Sequence, residues 1–281
     1  MHSRISRHVA TVLCLAGSAA GVACGSNHDQ PAPVAKEPAV PSAAAAIPVN
    51  SADVVHSYPH DPAAFTEGLE WYDGHLYEST GIEGRSGVRR TDLTTGTVVS
   101  SVQMPGTQFG EGITVYKGLL YELTWRGGTG FRYDARSLAK RGTFTYTGEG
   151  WGMTHDEHSL IISDGTNVLR YLDPKTMQVQ RALPVSAEGM PLVRLNELER
   201  IHGEIWANVW QAPQIARIDP ATGHVIGWID LAPLVPPAPV TPTRDTIDVA
   251  NGIAYDSAGD RIFVTGKFWP VLYQIRLGAR K

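Results

Sequence analysis

Cysteine is nearly absent: Cys14 and Cys24 are the only two, and both fall in the first 24 residues. The remainder has no disulfide and no thiol nucleophile, so its stability rests on core and topology. Basic clusters are missing as well. The formal charge is −4; residues 1–24 hold Arg4, Arg7 and no acid, so their removal takes it to −6. Nucleic acid is therefore not an expected partner. The ten histidines show no HExxH and no other metal-ligand spacing. No GxSxG elbow and no glycine-rich phosphate loop after a strand occurs, which removes the common hydrolase and nucleotide-binding signatures. Nor is any apolar run a good membrane span.

The opening, MHSRISRHVATVLCLAGSAAGVACGS, carries Arg4 and Arg7, then an apolar stretch, then small residues. It reads as a secretory leader over residues 1–24. Cys24 follows Gly21-Val22-Ala23 as in a bacterial lipoprotein signal, without the usual Leu three residues before the Cys. Plain cleavage and lipid attachment at Cys24 both stay open, and such a lipid is the single expected membrane contact. The chain is expected to be exported, to the periplasm or cell envelope, as a monomer. Residues 25–48 are Pro/Ala-rich and unpatterned, a linker. Residues 49–281 form the folded domain.

Within that domain one phrase recurs: an apolar run, a turn rich in Gly or Asp, and a second apolar run. The copies are FTEGLEWYDGHLYEST (65–80), FGEGITVYKGLLYELT (109–124), EGWGMTHDEHSLIISD (149–164), LNELERIHGEIWANV (195–209) and VANGIAYDSAGDRIFVT (249–265). Aligning Gly68, Gly112, Gly152, Glu197 and Gly252 gives steps of 44, 40, 45 and 55 residues. Strand-only repeats of this length predict a β-propeller. The expectation is all-β, five blades, with the extended segment 49–60 completing the last blade and closing the ring. The long last step holds LAPLVPPAPVTPTRD (231–245), whose prolines place it in a loop. Asp134, Asp173 and Asp219 sit in ordinary turn sequences and are expected to be structural.

The residue before each anchor is Glu67, Glu111, Trp151, Asn196 and Asn251. Equivalent positions in a propeller face one channel, so carboxylates, an indole and amides should share a hole. A second ring is expected from Thr80, Trp125, Ser163 or Asp164, Trp210 and Lys267, with Trp269 close behind Lys267. Trp206 and Trp228 belong to the core. Glu111, between Gly110 and Gly112 and backed by Phe109, is the leading candidate for a desolvated carboxyl that both accepts and donates a proton. Capping a turn or pairing with Lys267 is its structural alternative. An oxygen-ligand metal site from Glu67, Glu111, Asn196 and Asn251 is a further alternative.

The phrases YPHDPAAFTEGL, YESTG, GRSGVR, FGEGIT, DGTNVLRYLDP, RLNELE, GEIWANVWQ, IARIDP, NGIAYD and FVTGKFWP stand in this order from about His56 to Leu277. Together they resemble the glutamine cyclotransferase family. The resemblance implies a five-bladed propeller that turns an N-terminal glutamine of a peptide or protein into pyroglutamate, releasing ammonia without metal or cofactor. It implies Glu111 as catalytic carboxylate. It also implies Trp125, Trp151 and Trp210 as pocket walls, Asn196 and Lys267 as polar contacts, and Phe65 and Phe109 packed beneath. One departure stands out: the FTEG position often carries Gln in this family and is Glu67 here, a second carboxylate that can hold the substrate ammonium or share a proton with Glu111. Two other classes remain compatible with the residues, a non-catalytic envelope propeller that binds peptides or a partner protein, and a metal-dependent propeller hydrolase.

Overall fold

Two kinds of turn repeat along the chain and cut it into strands. In the first, two residues take positive φ in succession, as at Asp73-Gly74 (50° and 80°), Lys117-Gly118 (50° and 80°) and His202-Gly203 (51° and 83°). Their twist suits tight hairpins. In the second, an aspartate folds the chain around its own carboxylate. Backbone N–H groups of Thr95, Ser137, Thr176 and Ala221 donate to Oδ1 of Asp92, Asp134, Asp173 and Asp219 at 2.8–3.0 Å. The structural role expected of Asp134, Asp173 and Asp219 is the one observed.

The structure, a computed structural model, describes residues 46–237 and 249–280. The leader with Cys24, nearly all of the 25–48 linker and most of the proline-rich loop lie outside the described residues. The described chain is all-β, built from several sheets. β1 (Val49–Pro59) comes first. One four-stranded antiparallel sheet holds β2 (Thr66–Tyr72), β3 (His75–Thr80), β4 (Gly87–Thr91) and β5 (Val98–Gln103). A second holds β6 (Gly110–Tyr116), β7 (Leu119–Thr124), β8 (Thr129–Asp134) and β9 (Lys140–Thr145). A third holds β10 (Met153–His155), β11 (Leu160–Ile162), β12 (Val168–Leu172) and β13 (Val179–Pro184), followed by a small hairpin of β14 (Ser186–Ala187) and β15 (Met190–Pro191).

The last sheet has eight strands. It joins β16 (Leu195–Ile201), β17 (Glu204–Val209), β18 (Gln214–Ile218) and β19 (Val225–Asp230) to β20 (Ala250–Asp256), β21 (Arg261–Gly266) and β22 (Val271–Arg280). The link is β1, antiparallel to β22 from Asn50 to Pro59 and parallel to β19 over Val49–Ser51. The N-terminal strand thus completes the group that the sequence left one strand short. It also ties that group to the one before, which the repeat pattern did not show.

Burial grades across each sheet. The first strands are buried almost throughout (β6 entirely), whereas β5, β9 and β13 are largely exposed. The buried first strands contact one another in order: β2 lies against β6, β6 against β10, β10 against β16, β16 against β20, and β20 against β2. Apolar clusters fill the spaces between neighbouring sheets. Val88 and Ile113 share one with Phe131, Leu123 and Phe144 share one with Leu160, and Leu69 and Leu76 share one with Phe263.

Candidate active site

Several candidate side chains sit where the first strands begin, and a local irregularity puts them there; Trp125, Trp210 and Lys267 stand just past the ends of β7, β17 and β21. Pairing register slips between Thr66 and Gly68, Gly110 and Ile113, Leu195 and Leu198, and Ala250 and Ile253. Those slips span Glu67, Glu111, Asn196 and Asn251, the residues singled out in the repeat. A bulge frees one residue from the ladder and re-aims its side chain. The flanking glycines let the strands close in. A Cβ on Gly112 would lie 2.5 Å from Met153 N and 2.6 Å from Trp151 O, and one on Gly152 would lie 2.0 Å from Asn196 O. In the fourth strand Glu197 replaces the glycine. Its carboxyl crosses the centre, accepting from Leu69 N (3.2 Å) and Ile253 N (2.8 Å).

Phe65, Glu67, Phe109, Glu111, Trp125, Trp151, Asn196, Trp210 and Lys267 all line one cavity of about 390 Å³, joined by Gln211 and Val249. Its size is that of a small-molecule site with apolar walls and few polar groups. Phe65 meets Phe109 edge-on at 5.9 Å, Phe109 meets Trp125 at 5.8 Å, and Trp151 meets Trp210 at 5.7 Å. Both indole N–H groups of Trp125 and Trp151 donate to one oxygen, Glu149 Oε2, at 2.9 and 3.0 Å.

At the floor, Lys267 Nζ pairs with Glu67 Oε1 at 2.7 Å and sits 4.3 Å over the Phe65 ring. Phe268, at φ 62°, reverses the chain just after it. Glu67 Oε2 accepts from the Asn251 amide at 3.2 Å, and a hydrogen bond joins the Glu67 and Glu111 carboxyls. Burial, then the Glu67 charge, push the Glu111 carboxyl well above the usual carboxylate range against the pull of Lys267. Burial also raises Glu67, opposed by Lys267. Two carboxyls this close hold one proton between them, and the ammonium beside Glu67 favours that proton on Glu111. Asn196 is buried, and its Oδ1 has no partner. It is an acceptor at the cavity wall, available to an N–H donor.

Some expectations need correction. Lys267 pairs with Glu67 and not with Glu111. Asn251 braces Glu67 from outside the cavity. Ser163 is buried and bridges Gly152 N and Asn196 O, and Asp164 pairs with Arg170. Thr80 ends β3 with its carbonyl against Gly110 and does not line the cavity. Trp269 is fully buried in the apolar cluster with Ile253 and Val264, because the reversal at Phe268 turns it inward. Trp206 is core, as expected, and Trp228 is only half-buried, packed against a different apolar cluster with Ile218 and Val225. Gln211, Val249 and Glu149 were missed. Gln211 ends the quoted GEIWANVWQ phrase. Glu149 opens the third copy, three residues before its anchor as Phe65, Phe109 and Val249 are before theirs; a charged residue at a position apolar in those three copies was the signal that could have found it.

Three comparisons bear on this arrangement. The model of the glutamine cyclotransferase family matches residues 29–277. A curated glutaminyl-peptide cyclotransferase of Arabidopsis thaliana is 47% identical over 232 residues, covering 82% of this chain and 72% of that protein. The crystal structure of Myxococcus xanthus glutaminyl cyclase is similar with a TM-score of 0.76 and 36% identity, over 82% of this chain and 98% of that one.

Proposed function

The chain belongs to the glutamine cyclotransferase family and is an acyltransferase that closes N-terminal glutamine to pyroglutamate with loss of ammonia; from this premise we propose that Glu111 is the group that moves the protons. The α-amine attacks the side-chain amide carbon to close a five-membered ring. The amine nitrogen must shed a proton and the departing nitrogen must gain one. A carboxyl held well above the usual carboxylate range and placed between them does both, as base and then as acid. The observation that carries this reading is the Glu111 carboxyl at the cavity floor, bonded to a Glu67 that Lys267 already neutralises.

The other groups divide the remaining work. Glu67 faces the arriving ammonium. Lys267 keeps N–H groups to spare for the negative oxygen of the tetrahedral intermediate. Asn196, a polar contact by the resemblance, offers Oδ1 and so holds an amide N–H of the substrate. Phe65, Phe109, Trp125, Trp151 and Trp210 keep the glutamine side chain curled, which lowers the entropic cost of closure.

The ring of contacting first strands and the N-terminal strand on β22 support a five-bladed propeller as the scaffold. The opening sequence supports export, with residues 1–24 as leader, 25–48 as linker and 49–281 as catalytic domain. A monomeric enzyme of the periplasm or cell envelope fits that layout, with Cys24 as the place for a lipid if one is attached. No metal or cofactor has a part in this reading. Incubating the protein with a glutaminyl dipeptide and a chelator should release ammonia, and Glu111→Gln should lower that release by orders of magnitude while leaving the fold intact. Undiminished release from Glu111→Gln would remove Glu111 from the mechanism. Loss of release with the chelator would bring a metal back into it.

A further inference from the structure

Glu149 lies in the connector between β9 and β10, outside the cavity lining, yet it touches the cavity's walls from behind. One of its oxygens, Oε2, takes the indole N–H of Trp125, which follows β7, and that of Trp151, which precedes β10. These tryptophans belong to neighbouring sheets whose backbones meet where Gly150 N–H donates to the Trp125 carbonyl at 3.3 Å, and a single oxygen joins their side chains. The other oxygen, Oε1, is 3.7 Å from Arg126 Nε, and the Arg126 guanidinium stacks 3.7 Å over the Trp125 ring. The Glu149 backbone is pinned too, its carbonyl accepting from Arg170, which is paired with Asp164. An exposed loop glutamate has no need of so many restraints.

We propose that Glu149 is a positioning residue of the cyclisation pocket, clamping the indoles of Trp125 and Trp151 into one wall. This rests on the cyclotransferase reading of the cavity. The clamp fixes the rings that keep the substrate side chain curled, so its loss falls first on binding. The charge acts separately. Glu111 is faced by Glu67, Lys267, Tyr146 and Glu149, and the Glu149 carboxylate adds to the repulsion that keeps Glu111 protonated.

Two substitutions separate these effects. Both indoles use the same oxygen, and one oxygen with two lone pairs can serve both. Glu149→Gln therefore keeps the clamp and removes the charge, while Glu149→Ala removes both. In Glu149→Ala the KM for a glutaminyl dipeptide should rise about tenfold or more, the equivalent of one lost hydrogen bond to a charged group. In Glu149→Gln the KM should stay near that of the unaltered protein. Its ascending limb of kcat/KM against pH should move to lower pH, because a less repelled Glu111 ionises earlier.

The indole N–H resonances of Trp125 and Trp151, assigned with single Trp→Phe variants, give a readout independent of turnover. Both should move upfield in Glu149→Ala and stay put in Glu149→Gln. Unchanged KM and resonances in Glu149→Ala would overturn the proposal, as would a Glu149→Gln variant as impaired as Glu149→Ala. If the unaltered protein released no ammonia, the cyclotransferase reading would fail. The resonances would still decide whether Glu149 holds the two indoles.

Discussion

Glu67 is the residue at which this chain departs from the pattern it otherwise follows, and its surroundings give the departure a consequence. With Lys267 at 2.7 Å it forms a buried ion pair whose negative end touches Glu111. Glu67→Gln removes the charge that, after burial, does most to raise the Glu111 carboxyl, and it leaves the Lys267 ammonium free to lower it further. A raised carboxyl that is relaxed ionises at lower pH. The ascending limb of the rate should move to the acid side, with plateau kcat kept within about tenfold because Glu111 itself remains. A pH profile of kcat/KM checks this, and an unmoved limb would mean that Glu67 carries no charge in the free enzyme. At this scale the sequence was informative where polar or indole side chains recurred at equivalent positions, which is how seven of the nine predicted cavity residues were picked out, Phe65 and Phe109 coming with the family resemblance. It was silent on the role of Glu149, which exists only because two indoles from different sheets meet there.

At the scale of the element, the bulge at the start of β2, β6, β16 and β20 is the device that turns backbone into site. It works only if adjacent strands approach closely, and the glycines permit that. A methyl group on Gly112 would press on the backbone at Met153, Gly152 and Trp151, none of which is a flexible side-chain end. Gly112→Ala should therefore cost about 1–3 kcal/mol in stability, read as a lowered urea midpoint. It should also depress turnover, because Glu111 is the preceding residue. A variant with unchanged midpoint and turnover would show that the strands can part without moving the site. The repeated glycine was visible in the sequence. The bulge was not, since a slip of register is a relation between two strands and neither strand encodes it alone.

For the whole molecule, the notable quantity is buried carboxyl. Burial pushes Glu70 and Glu122 up to about 8 and raises Glu197 and Glu199 well above the ordinary range. Glu78 goes the other way: burial opposes its charge, but His60 and Arg89 hold it down to about 2. His60 is raised in spite of burial, by the same Glu78. Carboxyls raised in the folded state leave the unfolded chain to lose protons first, so stability declines as pH climbs from the ordinary carboxylate range toward 8. The raised His60 adds loss in the same direction as pH rises through its folded value. The depressed Glu78 adds stability above its unfolded value that disappears as pH falls toward 2. Urea unfolding should accordingly show its highest midpoint at about pH 5 and a lower one at pH 8. A midpoint that increases over that interval would mean these carboxyls are ionised in the native protein.

The sequence by itself determined the strand-only repeat, the aspartate and glycine turns, the N-terminal strand's place beside β22, the family and the residue types of the site. All of these rest on local chemistry or on the spacing of like residues, which one chain displays openly. The tertiary structure alone decided that Lys267 pairs with Glu67, that Asn251 braces it and that Glu197 bridges two other strands across the centre. It also sent Trp269 into the core. Each of those outcomes depends on register slips, a reversed φ at Phe268 and approaches of a few ångströms between distant strands, and such distances are set by packing the closed ring.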